Sequence, residues 1–450
     1  MILSFCRTVG EKVFRRRDAL EDVVGGGDKV GRCDDSTAEV SSFGGDSSVA
    51  QSCADNLIQD VDLEEIEVDG GQNFFGSKDI KSLADALRKN RASVRLVLRN
   101  VSLGEETTLY LTPMLKSTSS IKAVTLEDSR GHGQVAIALA LTLNPCSSIR
   151  SLNLRGNCID IESAEAMGLM LSTNSSLREL RLSHNTFEPG SMHAIAKGVE
   201  KNKGVKSLDL LGNGLGDEEV ITLSNALRRN TSLKFLCLDF NSFGRSAMQG
   251  ISSMLMTNTG IEELHLFGNR IDSEGAKSFS HALKHNMTLQ TIVLSFNDIG
   301  DEGTVSLAES LTVNTSIKKL WLPSNSVGNV GLKAIGEQLP SMKGIESLSV
   351  GDFFDESSAY SVLEGLKKNT SLTVLHMESP VYDDETIEQE IDFYLRLNRS
   401  GRSILQTPSA PFALWPKVLQ NANVHESESG SPDVLYYLLR QKPDIMELKR

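Results

Sequence analysis

Residues 292–303 read Ile292-Val293-Leu294-Ser295-Phe296-Asn297-Asp298-Ile299-Gly300-Asp301-Glu302-Gly303. Ile292 and Leu294 alternate with Val293, so the two aliphatic residues share one face of a short strand and Val293 takes the other. Three residues after Leu294 stands Asn297, where the chain must leave the strand. Its N–H and C=O groups lose their ladder partners there, and a carboxamide, which both donates and accepts, can satisfy them. The same unit recurs seven times without an indel. Asn157, Asn185, Asn213, Asn241, Asn269, Asn297 and Asn325 lie 28 residues apart. Each is preceded by an aliphatic pair: Leu152/Leu154, Leu180/Leu182, Leu208/Leu210, Leu236/Leu238, Leu264/Leu266, Ile292/Leu294 and Leu320/Leu322. A fixed period of this size signals a solenoid in which each unit buries its leucines only against its neighbours. The seven asparagines are expected to form one internal ladder.

The second half of each unit has helical spacing. Ile271, Ala276, Phe279, Ala282 and Leu283 follow Asn269, and Ile299, Val305, Leu307, Leu311 and Val313 follow Asn297. A polar turn such as Asn230-Thr231-Ser232-Leu233 then leads into the next strand. Strand–helix units in series demand a parallel sheet with the helices on its outer side. Helices are wider than strands, so the stack should bend. The expected fold is an α/β solenoid horseshoe of about 12 strand–helix repeats, with a concave parallel sheet and convex helices.

The unit L-x-L-x-x-N-x-I/L-G-x-x-G with a long helical half resembles the leucine-rich repeat, specifically its ribonuclease-inhibitor-like class. Asn297 to Gly303 carries the pattern most plainly, and Asn213 to Glu219 lacks only the last glycine. The resemblance covers roughly residues 60–380. It implies a recognition surface for a protein partner, which fold alone does not identify.

Three segments are expected. Residues 1–58 hold Gly25-Gly26-Gly27, Gly44-Gly45 and a serine-rich run, and read as a disordered tail. Arg15-Arg16-Arg17 follow a short apolar start, the reverse of a secretory signal, and Asp18, Glu21 and Asp22 argue against a mitochondrial presequence. Residues 59–380 form the array, regular over about 149–345. The asparagine slot holds Val101 and Ser129 early, and Phe353 and Pro380 late, as terminal repeats allow. Residues 381–450 read as a helical cap, beginning with a helix from Thr386 to Leu397 and including Leu397-Asn398-Arg399-Ser400-Gly401-Arg402.

Composition narrows the function further. A formal net charge of -13 argues against a general nucleic-acid or anionic-membrane role, and aromatics at 5% are what a leucine-filled core implies. Cys6, Cys33, Cys53, Cys146, Cys158 and Cys237 show no C-x-x-C pair, so reduced intracellular thiols are expected, with no disulfide framework and no metal. Sequons at Asn174, Asn230, Asn286, Asn314, Asn369 and Asn398 read as by-products of the recurring turn. No apolar run approaches the ~20 residues of a membrane span; the expected location is cytoplasmic. Gly71 to Lys78 is a near miss to a phosphate-binding loop, because Ser77 separates Gly76 from Lys78. His281 and His285 have the spacing of zinc ligands, but Ala282 replaces the glutamate of H-E-x-x-H. No residue is assigned a catalytic role and no cofactor is expected.

What remains is a surface. Residues between the leucines run Asn153, Arg181, Asp209, Cys237, His265, Val293 and Trp321. Strands lie about 4.8 Å apart, so Phe240, His265, Phe267, Val293, Phe296 and Trp321 are expected to form one patch. Clustered exposed aromatics are the material of binding hot spots. The competing expectation has Phe240 and Phe296 tucked under the strand edge. A non-catalytic scaffold that binds a protein partner on its concave face is the favoured reading. A regulator of small GTPases is the first alternative, but it calls for an acidic tail, and this chain reads Glu447-Leu448-Lys449-Arg450. The ligand-sensing arm of an immune-type receptor is the second, and needs a nucleotide-binding module.

Overall fold

The computed structural model describes residues 65–69, 94–101, 105–117, 119–128, 148–351, 355–377 and 385–405, with isolated helical positions elsewhere. The 1–58 tail, the Gly71–Lys78 stretch and the slot residues Ser129, Phe353 and Pro380 lie outside the described residues.

Twelve strands form one parallel sheet among the described residues, and their spatial order is their chain order. They are β1 (Glu65–Asp69), β2 (Val94–Arg99), β3 (Ile121–Glu127), β4 (Ser151–Asn153), β5 (Glu179–Arg181), β6 (Ser207–Asp209), β7 (Phe235–Cys237), β8 (Glu263–His265), β9 (Thr291–Val293), β10 (Lys319–Trp321), β11 (Ser347–Val350) and β12 (Val374–Met377). The register repeats the sequence period: Leu208 pairs with Leu236, Leu236 with Leu264, Leu264 with Ile292 and Ile292 with Leu320. These residues are all buried against the helix layer.

The helices are α1 (Glu105–Ser117), α2 (Ile161–Thr173), α3 (Ser191–Lys201), α4 (Asp217–Leu227), α5 (Arg245–Leu255), α6 (Ser273–Leu283), α7 (Gly300–Val313), α8 (Asn329–Gln338), α9 (Glu356–Leu366) and α10 (Glu385–Arg399). Asp160, Asp272 and Asp355 cap their own helices. Asp217 and Asp301 instead accept from the first amides of the next repeat's helix, at Gly244 and Ala247 and at Gly328 and Gly331. Helix starts are thus tied across repeats. Adjacent helices touch through glycines. A Cβ on Gly198 would run into the Gly168 carbonyl oxygen and stand 2.8 Å from Gly168 Cα and 2.9 Å from Leu171 Cβ. Gly→Ala inside a helix ordinarily stabilises by up to about 1 kcal/mol. Gly198→Ala is expected to reverse that sign and cost about 1–3 kcal/mol through forced separation of α2 and α3, read as a lowered midpoint in urea.

The slot asparagines lie along the strand ends. Nδ2 of Asn241 donates to the carbonyls of Leu238 at 2.9 Å, Asp239 at 3.1 Å and, one repeat back, Leu210 at 3.1 Å. Asn185, Asn297 and Asn325 repeat this pattern, and the amides of Asn157, Asn185 and Asn213 donate to the Oδ1 of the next asparagine. Asn213 keeps only the acceptor half of the arrangement and Asn269 only the donor half.

A second ladder runs along the opposite end of the repeats, where each helix turns into the next strand. Asn202, Asn230, Asn258, Asn286 and Asn314 are buried. In Asn258, Nδ2 donates to the carbonyls of Leu227 (2.7 Å) and Asn230 (2.8 Å), while Oδ1 accepts from the amides of Gly260 (2.8 Å) and Ile261 (2.9 Å). The others make the same four bonds. Buried and bonded in this way, the sequon asparagines of the folded array offer no nitrogen to a glycan.

The same device carries the array past residue 380. Asn398, at the end of α10, donates to the carbonyls of Asn369 (3.1 Å) and Leu372 (2.8 Å). Ile387, Ile391 and Leu395 join the continuous core. Gly401 takes φ +93°, and Arg402 turns back to donate to the carbonyls of Leu366 and Lys367, capping α9. Its guanidinium lies 5.0 Å from the Tyr394 ring centre. The Asn398-to-Arg402 motif therefore docks α10 onto the repeat that holds α9.

Candidate functional site on the sheet face

Residues that alternate with the buried leucines cover the sheet face turned away from the helices. The early strands carry a polar row: Arg99 bridges Glu67 and Glu127, and Asn153 donates to Glu127 at 2.7 Å. The later strands change character.

Beyond each strand, the residue before the slot asparagine has a left-handed backbone. Gly156, Gly212 and Gly268 sit at φ +67° to +70°, while His184, Phe240 and Phe296 sit at +54°, +51° and +59°. From Gly156 to Phe296 glycines and ringed residues thus alternate, while Asn100, Asp128 and Ser324 take the same left-handed backbone in the flanking repeats. The alternation is steric: a Cβ on Gly268 would lie 2.9 Å from Cδ1 of Phe240, and one on Gly212 would lie 2.8 Å from Nδ1 of His184. Each ring spreads over the next repeat's glycine.

Phe240, Phe267 and Phe296 form one stack, with ring centres 4.8 Å apart at both steps. Phe240 is 45% exposed and Phe296 37% exposed. They do not tuck beneath the strand edge, because a left-handed backbone turns the Cβ outward. Phe267 and Trp321 are half-buried. Val293 departs from expectation. It is buried, a short side chain between the larger register partners His265 and Trp321, and offers little contact area.

Beside the stack lies a polar cluster. Asp209, Cys237 and His265 are direct register neighbours on β6, β7 and β8. Asp239 follows Cys237 by two residues and lies against the same group. Cys237 is buried, and the side chains of His265 and Asp239 are 12% and 13% exposed. His265 Nε2 lies 2.8 Å from a Glu263 oxygen, and Nδ1 lies 3.8 Å from Asp239 Oδ2. Asp239 Oδ1 accepts from the Phe267 amide at 2.7 Å, so the cluster also positions the central ring of the stack. Burial draws the His265 pKa down, but bonding to and attraction by Asp239 and Glu263 outweigh it and push it up to about 9. Burial and the neighbouring carboxylates Asp239 and Asp209 hold the Cys237 thiol well above its ordinary value. Burial also raises Asp209, against the Leu211 amide and Arg181.

Sequence spacing gave no sign of this cluster, since 237, 239 and 265 fit no metal or catalytic motif. The only available signal was the period itself: 237 plus 28 is 265. His281 on α6 and His285 in the turn after it, by contrast, are exposed, with ring centres 5.3 Å apart.

Four stretches, residues 146–168, 173–196, 257–280 and 285–308, match a family model described as a leucine-rich repeat. The array is a leucine-rich-repeat α/β solenoid. No curated protein matches the chain. Among solved structures, the actin-binding site 2 of leiomodin-1 is similar at 17% identity over 35% of this chain and 76% of that one, with a TM-score of 0.25. So loose a superposition carries no argument about what this leucine-rich-repeat array binds. Among the described residues, no helix is long and apolar enough to cross a membrane.

Proposed function

We propose that this leucine-rich-repeat array, of the ribonuclease-inhibitor-like class, is a non-catalytic scaffold that takes a protein partner on its sheet face. The contact centres on Phe240, Phe267 and Phe296, flanked by His265 and Trp321. The observation that carries this reading is the left-handed backbone of Phe240 and Phe296. An L residue there costs about 1 kcal/mol or more relative to glycine; three repeats of the same array use glycine, and the others besides Phe240 and Phe296 use the polar residues Asn100, Asp128, His184 and Ser324. Both phenylalanines kept in that conformation lie outside the continuous core and leave part of their surface exposed. They are the aromatic anchors of a contact.

Phe267→Ala combined with Trp321→Ala tests the reading. The half-buried rings are expected to leave the cooperative unfolding transition in place, while a partner recovered by the wild-type chain in quantitative affinity purification is lost. Recovery of the same proteins by both chains would reject the proposed surface.

A further inference from the structure

We propose that Cys237, Asp239 and His265 form a binding site for a single zinc(II) ion on the sheet face. The donor atoms of these three residues lie within 4.8 Å of one another; Cys237 is buried and the side chains of His265 and Asp239 are largely covered. Thiolate, imidazole and carboxylate together are a set that zinc accepts. Tetrahedral zinc holds such donors roughly 3.5 Å apart, so closing on the ion needs a contraction of about 1 Å. The strands are already fixed in register, because Cys237 and His265 are direct partners and Asp239 projects from the same chain two residues on.

The surrounding contacts have the orientation a metal site requires. Metal-binding imidazoles usually donate their other nitrogen to a carboxylate. Here Nε2 of His265 bonds Glu263 at 2.8 Å, and Nδ1 is the nitrogen turned toward Asp239. Asp239 has its Oδ1 committed to the Phe267 amide, and Oδ2 is the oxygen 3.8 Å from Nδ1. Asp209 lies beside the Cys237 thiol and bonds it. Three carboxylates thus surround one imidazole and one thiol, an excess of negative charge that a divalent cation neutralises. On binding, the Cys237 thiol and the imidazolium each release a proton to solvent. Three protein ligands leave a fourth position for water.

Cobalt(II), which takes the same tetrahedral donors and reports thiolate ligation by a near-ultraviolet charge-transfer band, is the probe for the full-length chain. One equivalent is expected to saturate that band, and zinc(II) to abolish it by displacement. Cys237→Ser should remove the band. Glu263→Gln, a positioning change, should weaken cobalt binding 10–100-fold while leaving the spectrum of the saturated site unchanged. His265→Gln should weaken it at least as much, with far-ultraviolet circular dichroism confirming the fold in each variant. Absence of a charge-transfer band in the wild-type chain overturns the site without recourse to any variant. A band that persists in Cys237→Ser also overturns it, because the thiolate then lies elsewhere, such as at the exposed Cys158.

Discussion

Replacing Phe240 and Phe296 together by glycine is expected to abolish partner capture, by 100-fold or more in affinity, while moving the thermal midpoint by no more than about 2 °C. Two effects nearly cancel in the folded state. Glycine relieves a left-handed backbone at φ +51° and +59°, worth about 1 kcal/mol per site. It also removes the contacts of both rings with Phe267, worth about 0.5–1.5 kcal/mol each. Nothing cancels in the bound state, where two exposed anchors vanish from the centre of the contact. Most large-to-small changes lower stability and binding together; this pair is expected to separate them. Equal capture by the glycine variant, measured by affinity purification and by titration once the partner is in hand, would remove the basis of the proposed function. A large drop in thermal midpoint would show that the rings serve the fold.

Asn258→Ala is expected to cost about 4 kcal/mol, among the largest stability losses for any single change in the array. The substitution leaves the carbonyls of Leu227 and Asn230 and the amides of Gly260 and Ile261 without partners in a buried turn. Each orphaned group costs about 1–3 kcal/mol, reduced where water can enter. The loss falls on the interface between neighbouring repeats, which carries the cooperativity of a solenoid. Asn258→Asp keeps the shape and the acceptor but turns a carboxylate oxygen toward two carbonyls, and is expected to be worse. Denaturant unfolding measures both; a change below about 1 kcal/mol for Asn258→Ala would contradict the geometry.

The strand–helix plan was legible because its cause is local and periodic: leucines two apart on a strand and a carboxamide where the strand ends. The second ladder has the same period in Asn202, Asn230, Asn258, Asn286 and Asn314, yet read as a run of polar turns and sequons. An asparagine followed by Ser or Thr looks like a surface loop until the burial of its amide is known. The continuation through Asn398 is hard to read in sequence because Asn398 stands 29 residues after Asn369, off the period of 28. On the sheet face, side-chain identity fixed which residues face the same way, but not how far each reaches. Val293 disappears because its register partners are longer, and Cys237, Asp239 and His265 meet only across strands. Phe240 and Phe296 point outward because of a backbone conformation that the sequence betrays only through the glycines sharing their slot.

Two amide ladders hold the repeats in one rigid frame, and backbone hydrogen exchange on the full chain tests this most directly. Amides of Val205, Leu233, Ile261, Leu289 and Ile317 donate to ladder asparagines in turns. They are expected to exchange as slowly as the neighbouring strand amides of Leu208, Leu236, Leu264, Ile292 and Leu320, opening only with the repeats as a unit. Turn amides that exchange orders of magnitude faster than those strand amides would show ordinary surface loops there, and would contradict the frame on which the binding face depends.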